Sequence, residues 1–431
     1  MTKLQDALYP HQHEALKWLI EHPRTINGSV MGTGKTIELL ALAETVDIPS
    51  TLVICPPSLI LEWREQIDTW LPEQAHRFDI TNYESLRNST PTKSYALTVF
   101  DECHKLKNPL TKQTQGAFKI TAPRTVLMSG TPMQNGPQDL WSLLHIVSPK
   151  QYDDYWRFVN TFCYRVEIKP GVKIVTGFRK SSRETLRAIL HRHMIRHEKD
   201  VLNLIPKFYR DIPVELTPSQ RIKYDQMEQE LFVELDSGEE IRASSLLARV
   251  TRLRQICLEP TLTSKEEILN TNAAKTLVLL DLLDSIDTPV IVYSYFERYL
   301  RLLHQYIPDA AYYAGPVSNA DKYDEEARFK AGDTKVFLGS LKTAGVGLNL
   351  QIAQTIIFMD LWWNPTVNEQ AEDRAHRIGQ ENELQIIRLS AYNTIEDALR
   401  KVVRTKEGWI SDVVSIKEAI ALRRDGALQH A

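Results

Sequence analysis

The 431 residues, 43% hydrophobic and 25% charged, exceed one ordinary domain and exclude a disordered chain; two or three globular domains are expected. Fifty-two Lys and Arg against fifty-five Asp and Glu leave a formal charge of -3, which excludes a generic polyanion binder and makes any nucleic-acid surface a matter of local asymmetry. Four dispersed cysteines, Cys55, Cys103, Cys163 and Cys257, suggest neither a disulfide framework nor a zinc site and fit a reducing compartment.

The N-terminal stretch has no signal-peptide pattern, and no apolar run approaches the ~20 residues that span a bilayer. A cytoplasmic protein is expected, nuclear in a eukaryotic host, with no membrane partner. After an N-terminal helix comes "SVMGTGKTIELLALAE", a glycine turn that opens a second helix. Gly32, Thr33, Gly34, Lys35 and Thr36 make a phosphate loop: backbone N–H groups approach phosphate oxygens, Lys35 reaches the β and γ phosphates, and the Thr36 hydroxyl holds Mg2+. The strict GxxxxGK[ST] pattern wants glycine at 29, where this chain has Ser29, so a plain glycine turn capping a helix is the competing reading.

Strand-like runs follow at "TLVIC" (51–55), "ALTVFD" (96–101) and "TVLMS" (125–129), then "VIVYS" (290–294), "KVFLGS" (335–340), "TIIFMD" (355–360) and "LQIIRLS" (384–390). Nearly continuous apolar strands alternating with helices predict an α/β fold of parallel sheets covered on both faces. The runs form two clusters separated by a charged stretch, roughly 145–285, that reads as helical, with a boundary near 204–218 where three prolines interrupt the periodicity.

The second of these runs ends in "TVFDECHKLKNP". Asp101 and Glu102 stand where a parallel sheet presents carboxylates at its C-terminal edge, Asp101 to bind magnesium and Glu102 to polarise the attacking water. Cys103 reads as a small packed residue, and His104 either as a local hydrogen-bonder or as a link from the site to the next lobe. An NTPase site of this kind leaves γ-phosphate charge to neutralise in the transition state, a task for an arginine finger worth ~10³ or more in rate. "QAEDRAHRIGQ" (370–380) offers Arg374 and Arg377 three apart on an expected helical face, with Gln370 a turn back; a surface salt-bridge stripe is the alternative.

The order of these motifs resembles superfamily 2 helicases and, within them, the Swi/Snf-like family of DNA-translocating ATPases. "LYPHQHEALKWL" resembles its adenine-reading region with Gln12 at the glutamine position, "LVICPPSLILEWREQIDTW" its motif Ia, and "DECHKLKNP" its acidic box. "LMSGTPMQNGPQDLWSLLHIVSP" resembles motif III with Ser129, Thr131 and Gln134 at its polar positions; "GSLKTAGVGLNL", "MDLWWNP" and "QAEDRAHRIGQ" resemble motifs V and VI. Nearly the whole chain is covered in the right order. The resemblance implies two RecA-like lobes with helical insertions and a C-terminal bracing helix at "NTIEDALRKVVRTKEGW". The lobes are set at 1–205, with a helical protrusion, and 206–431, with an insertion at about 215–260. It implies ATP and Mg2+ as cofactors, nucleotide contacts from Gln12 and Gln370, and DNA contacts from Lys342 and Trp363. Three departures stand out: "GSV" replaces acidic residues before MGTGKT, Thr343 and Ala344 depart from motif V, and His197 replaces the second of an Arg-Arg pair.

Residues 173–200 hold eight basic against three acidic side chains, Arg196 among them, and 242–256 add Arg242, Arg249, Arg252 and Arg254 with no acid. These blocks are either a phosphate-tracking surface or solvated helix faces. His191, His193 and His197 lack a third ligand at metal spacing, and the resemblance assigns them to structure. The expected function is an ATP-dependent double-stranded DNA translocase that remodels or displaces DNA-bound proteins, with protein partners for targeting. The alternatives are a strand-separating or branch-migrating helicase acting on forked or branched DNA, and a non-hydrolysing DNA or protein scaffold.

Overall fold

The computed structural model of the protein describes residues 3–405 apart from 90, 135, 170–171, 203, 237–242, 266, 316, 343–347 and 363–364. The chain divides into two compact units, Met1–Leu204 and Ile205–Ala431.

In the first unit the strands are β1 Arg24–Asn27, β2 Thr51–Cys55, β3 Phe78–Asn82, β4 Leu97–Asp101 and β5 Arg124–Met128, followed by β6 Cys163–Lys169, β7 Val172–Phe178 and β8 Met194–Ile195. Six of them form one parallel sheet in the order β3-β2-β4-β5-β1-β8. Every residue of β2 and β4 is buried, as strands covered by helices on both faces require. Helix Pro10–Glu21 buries Ala15, Leu16 and Leu19, one apolar stripe at helical spacing. The core joins Ile54, Phe100 and Leu127 of the sheet to Trp141, Leu144 and Phe158.

The second unit repeats the plan. Its strands are β9 Lys207–Val214, β10 Val290–Ser294, β11 Ala311–Tyr313, β12 Val336–Ser340, β13 Thr355–Phe358 and β14 Leu384–Ala391, all parallel, in the order β11-β12-β10-β13-β14-β9. Both units therefore have the α/β architecture expected, parallel sheets flanked by helices. Helices Pro218–Asp236 and Ala243–Leu258 pack on each other and on helix Ile395–Thr405, whose Ile395 and Leu399 enter a cluster with Tyr224, Leu246 and Val250. That last helix covers the described part of the expected brace; residues 406–409 of it lie outside the described residues.

The stretch 145–285 is not uniformly helical. It contains the antiparallel pair β6–β7, the short strand β8 and the eight-residue β9, which pairs with β14 from Lys207↔Leu384 to Val214↔Ala391. Pro213 in β9 is tolerated because β9 is the outermost strand, with one side free of ladder bonds. The expected helical protrusion of the first unit is accordingly a helix, Tyr155–Phe162, a β-ribbon and a second helix, Arg183–His193.

Candidate functional site

Parallel strands bring their C-terminal ends to one sheet edge, and the loops there present groups to ligands. In the first unit that edge carries the phosphate loop after β1, Asp101 at the end of β4 and Ser129 just past β5. Gly32 and Gly34 have φ of +85° and +84°, left-handed values that a side chain resists, and a Cβ at Gly34 would also collide with Gln12 Nε2. Gln12 is buried: its Nε2 donates to Thr33 O at 2.8 Å, and its Oε1 accepts from Tyr9 N at 2.9 Å. Lys35 opens helix Lys35–Thr45 and donates from Nζ to Ser29 O at 2.9 Å and Val30 O at 3.1 Å. Those carbonyls hold the ammonium within the loop whose N–H groups would receive phosphate.

Behind the loop lies Glu38, which the sequence reading passed over. It is fully buried and accepts from Asn27 Nδ2 at 2.6 Å. Burial pushes its carboxyl up to about 7, against the pull of the Asn27 bond and the Lys35 charge. The available signal was an acid set inside the apolar run "IELLALA", where an amphipathic surface helix would not bury it.

Asp101 accepts from Trp63 Nε1 at 3.0 Å and from Glu102 N at 2.9 Å. Burial, with the adjacent Glu102 charge, lifts its carboxyl to about 6. Glu102 adopts φ 51°, ψ 47°, a left-handed conformation that costs a non-glycine residue about 1 kcal/mol or more and is characteristic of functional turns. Asp101 ends its strand on the sheet edge that carries the phosphate loop, and Thr36 lies in the first turn of the helix that follows that loop; a carboxylate and a hydroxyl are hard oxygen donors, so Thr36 and Asp101 fit as holders of Mg2+. Magnesium, when bound, supplies charge to offset the phosphates.

His104 Nδ1 lies 3.1 Å from Glu102 Oε2 and 3.0 Å from Ser129 Oγ, and Ser129 Oγ accepts from Thr131 N at 3.2 Å. His104 thus ties the acidic box to the loop after β5 inside the first unit. Gln134 accepts from Lys107 Nζ at 2.7 Å and belongs to the same edge. Burial drives the Cys103 thiol well above its ordinary range, in keeping with a packed residue.

Two of the departures noted in the sequence meet in space. His197 N donates to Ser29 Oγ at 3.2 Å, and the His197 ring lies 3.4 Å from Ser29 Oγ through Nδ1 and 3.2 Å from Glu14 Oε2 through Nε2. With Val30 N donating to His197 O at 3.0 Å, the last strand of the unit is tied to the base of the phosphate loop. His193 packs edge-on against Tyr152 instead, so the histidines do not converge.

In the second unit, Gln370 is buried on helix Pro365–Glu372, but Arg374 and Arg377 lie in turns beyond its end, not on a helical face. Past Glu372 the backbone tightens, with Arg374 N donating to Ala371 O at 3.3 Å and Ala375 N to Glu372 O at 3.1 Å, and Arg374 O accepts from Leu350 N at 2.9 Å. Gly379 at φ +94° and Gln380 Nε2, donating to Gln351 O at 2.8 Å and Ala353 O at 2.9 Å, fix the turns against the neighbouring loop. Arg374 is buried, and Arg377, half-buried, donates from Nη1 to Leu348 O at 3.4 Å. Lys342 is exposed past β12, its Nζ 4.5 Å above the Tyr295 ring. Trp363, Arg242, Thr343 and Ala344 lie outside the described residues.

Arg254 cannot serve as a DNA contact as expected. It is 2% exposed, donates to Leu361 O at 2.7 Å, lies 3.6 Å from Asp360 and is covered by the rings of Tyr295, Phe296 and Trp362. Its charge is consumed inside the unit. Arg254→Ala is expected to destabilise the protein by about 3–5 kcal/mol in urea unfolding, because it strands a buried carboxylate, whereas Arg252→Ala at an exposed position should change stability by less than about 0.5 kcal/mol. Arg196 is exposed yet tied down, donating to Gly28 O at 2.9 Å and to Glu198 Oε1 at 2.6 Å.

Family comparison agrees with this arrangement. A model of the SNF2-related domain matches residues 11–94 and 76–262, and one of the helicase conserved C-terminal domain matches 274–379. An uncharacterized ATP-dependent helicase of Mycoplasma pneumoniae is 27% identical over 94% of this chain and 42% of its own length. The ISWI chromatin-remodeling complex ATPase ISW1 of Saccharomyces cerevisiae is 28% identical over 91% of this chain and 39% of its own. The chain thus spans about two fifths of the curated relatives it matches. Among solved structures, a Sulfolobus solfataricus SWI2/SNF2 ATPase core in complex with dsDNA aligns over 96% of this chain and 94% of that one at 24% identity and a TM-score of 0.44. With a phosphate loop and acidic pair on one sheet edge, and with domain matches running from residue 11 to residue 379, the chain belongs to the SNF2-related family of superfamily 2 helicase-type ATPases.

Proposed function

We propose that the chain is a DNA-stimulated ATPase that moves along double-stranded DNA and thereby remodels or displaces bound proteins. The observation that carries it is the left-handed, strained turn at the buried Glu102, on the sheet edge that also carries the phosphate loop, with the preceding Asp101 held by Trp63. A scaffold has no use for a strained acid on the same sheet edge as a phosphate-binding lysine. In the proposed cycle Lys35 and the loop amides hold the β and γ phosphates, Glu102 orients water for in-line attack, and Arg377 with Arg374 offsets the developing charge. Coupling of each turnover to a change in the grip on DNA converts hydrolysis into movement.

Strand separation is the second reading, supported by the helicase name of the Mycoplasma relative. ATP hydrolysis with and without duplex separates a motor from a scaffold. Triplex displacement against forked-duplex unwinding then separates translocase from helicase; forked substrates opened faster than triplexes are displaced would reverse the preference.

Lys342 and the exposed Arg252 are the described residues proposed for DNA contact in the second unit. Lys342→Ala is expected to keep DNA-independent hydrolysis, to lower the salt slope of DNA binding by about one charge, and to raise ATP consumed per triplex displaced. An unchanged ratio at matched salt would make Lys342 a solvated charge. The same assay on Trp363→Ala should show poorer displacement with an unchanged salt slope.

A further inference from the structure

The β6–β7 ribbon is not explained by the ATP site. From Tyr164 to Glu167 four successive residues of β6 are exposed, so neither face of the strand is covered there; Tyr164 is 52% and Val166 51% exposed. The ribbon is rooted at its base, where Cys163 is buried, Val175 and Phe178 pack on the core and Arg179 N donates to Phe162 O at 2.8 Å. Seven residues per strand give it a reach of about 23 Å. A two-stranded ribbon with a stretch of one strand bare on both faces is marginal by itself and gains from a partner.

Its charge says which partner. Residues 163–193, the ribbon and the helix after it, hold eight Lys and Arg against Glu167 and Glu184, whereas residues 1–162 hold fifteen Lys and Arg against seventeen Asp and Glu. The positive charge of the first unit is therefore concentrated here. Two of the arginines are parked on exposed rings: Arg165 lies 5.6 Å from the centre of Trp156, itself 45% exposed, and Arg179 5.0 Å from that of Tyr164. Arg179 is further steadied by donating from Nε to Cys163 O at 3.0 Å, and the next residue, Lys180, is exposed. Rings that hold guanidinium planes at a surface lower the entropy lost when those groups meet an anion. The register slips between Tyr164 and Arg165 and between Glu167 and Lys169 add twist, which suits a strand pair following a helical groove.

We propose that the β6–β7 ribbon is a duplex-DNA contact, lying along the phosphate backbone with Arg165, Arg179 and Lys180 on phosphates and Trp156 and Tyr164 presenting the arginines. This rests on the motor reading and deepens it by assigning a DNA-binding element to the first unit that is separate from the phosphate loop.

The test uses the full chain, a fluorescently labelled blunt duplex and a salt series. Replacing Arg165, Arg179 and Lys180 together by glutamine should lower affinity by on the order of tenfold or more at moderate salt and flatten the logarithmic salt slope by about 2.7, roughly 0.9 for each phosphate no longer neutralised. Trp156→Ala with Tyr164→Ala should weaken binding a few-fold and leave the slope as it was, since no charge is removed. Circular dichroism checks that both variants are folded. If the unmodified protein binds duplex and is stimulated by it while the triple variant binds with the same affinity and slope, the ribbon is not on DNA and a protein partner is what its exposed strands await. If the unmodified protein neither binds duplex nor responds to it, the motor reading and this proposal fall together.

Discussion

Glu102→Gln is expected to bind ATP with near-normal affinity and to hydrolyse it about 10²–10⁴ times more slowly, the range lost when a positioned base is removed. The substitution keeps the length and planarity of the side chain and can keep the contact to His104, now 3.1 Å from Oε2. It removes only the charge proposed to polarise water. Asp101 remains held by Trp63 and by the backbone of residue 102, so the carboxylate proposed to hold the cation does not move. Lys35→Ala is the contrasting case: it deletes the ammonium that Ser29 O and Val30 O now hold at the phosphate position, so binding and hydrolysis should both fail. Equilibrium binding of a fluorescent ATP analogue and single-turnover hydrolysis separate the two. Normal turnover by Glu102→Gln would mean that another group handles the water.

The strands read from the sequence were the ones buried on both faces. β2, β4, β10 and β12 are nearly continuous apolar runs, whose few polar residues, such as Thr98 and Ser294, are themselves buried and do not alternate to blur the pattern. The strands that escaped notice were short, peripheral or mixed. β1 is four residues, "RTIN", and β3, "FDITN", is only half-buried at the sheet edge; β9 carries Pro213 and exposes Phe208 and Tyr209. Their strand character comes from pairing with distant partners, which local composition does not record. Charge was read less well than motif. Arg254 looks like its neighbour Arg252 in "RLRQ", yet its partner Asp360 lies more than a hundred residues away, and only the fold shows that one arginine is buried and the other exposed. Likewise Ser29 and His197 stood out as separate departures, whereas in space they form one hydrogen-bonded pair at the base of the phosphate loop.

Arg377→Ala should lower DNA-stimulated kcat by about 10³-fold or more while changing ATP affinity only a few-fold, because a finger acts on charge that appears in the transition state. The local structure favours this arginine over Arg374. Arg377 is half-buried in a turn whose ends are fixed by Gly379 and Gln380, so it can reach outward without unfolding its support. Arg374 is buried, and its backbone carbonyl anchors Leu350 N. Just before both stands Glu372, fully buried, accepting from Lys207 Nζ at 2.6 Å, Tyr209 OH at 2.8 Å and Arg388 Nη2 at 2.9 Å. Burial alone would raise its carboxyl, but Lys207, Tyr209 and Arg388 hold it below its ordinary value, so the helix end just before the arginines is clamped by a charged carboxylate. On that support Arg377→Ala should lose activity without losing stability, and Arg377→Lys should not recover it, since an ammonium lacks the planar fork that spans two phosphate oxygens. Arg374→Ala should cost both kcat and unfolding free energy. The measurements are DNA-stimulated kcat, ATP-analogue affinity and urea unfolding on all three variants. Full activity in both alanine variants would leave the γ-phosphate charge to some other cation.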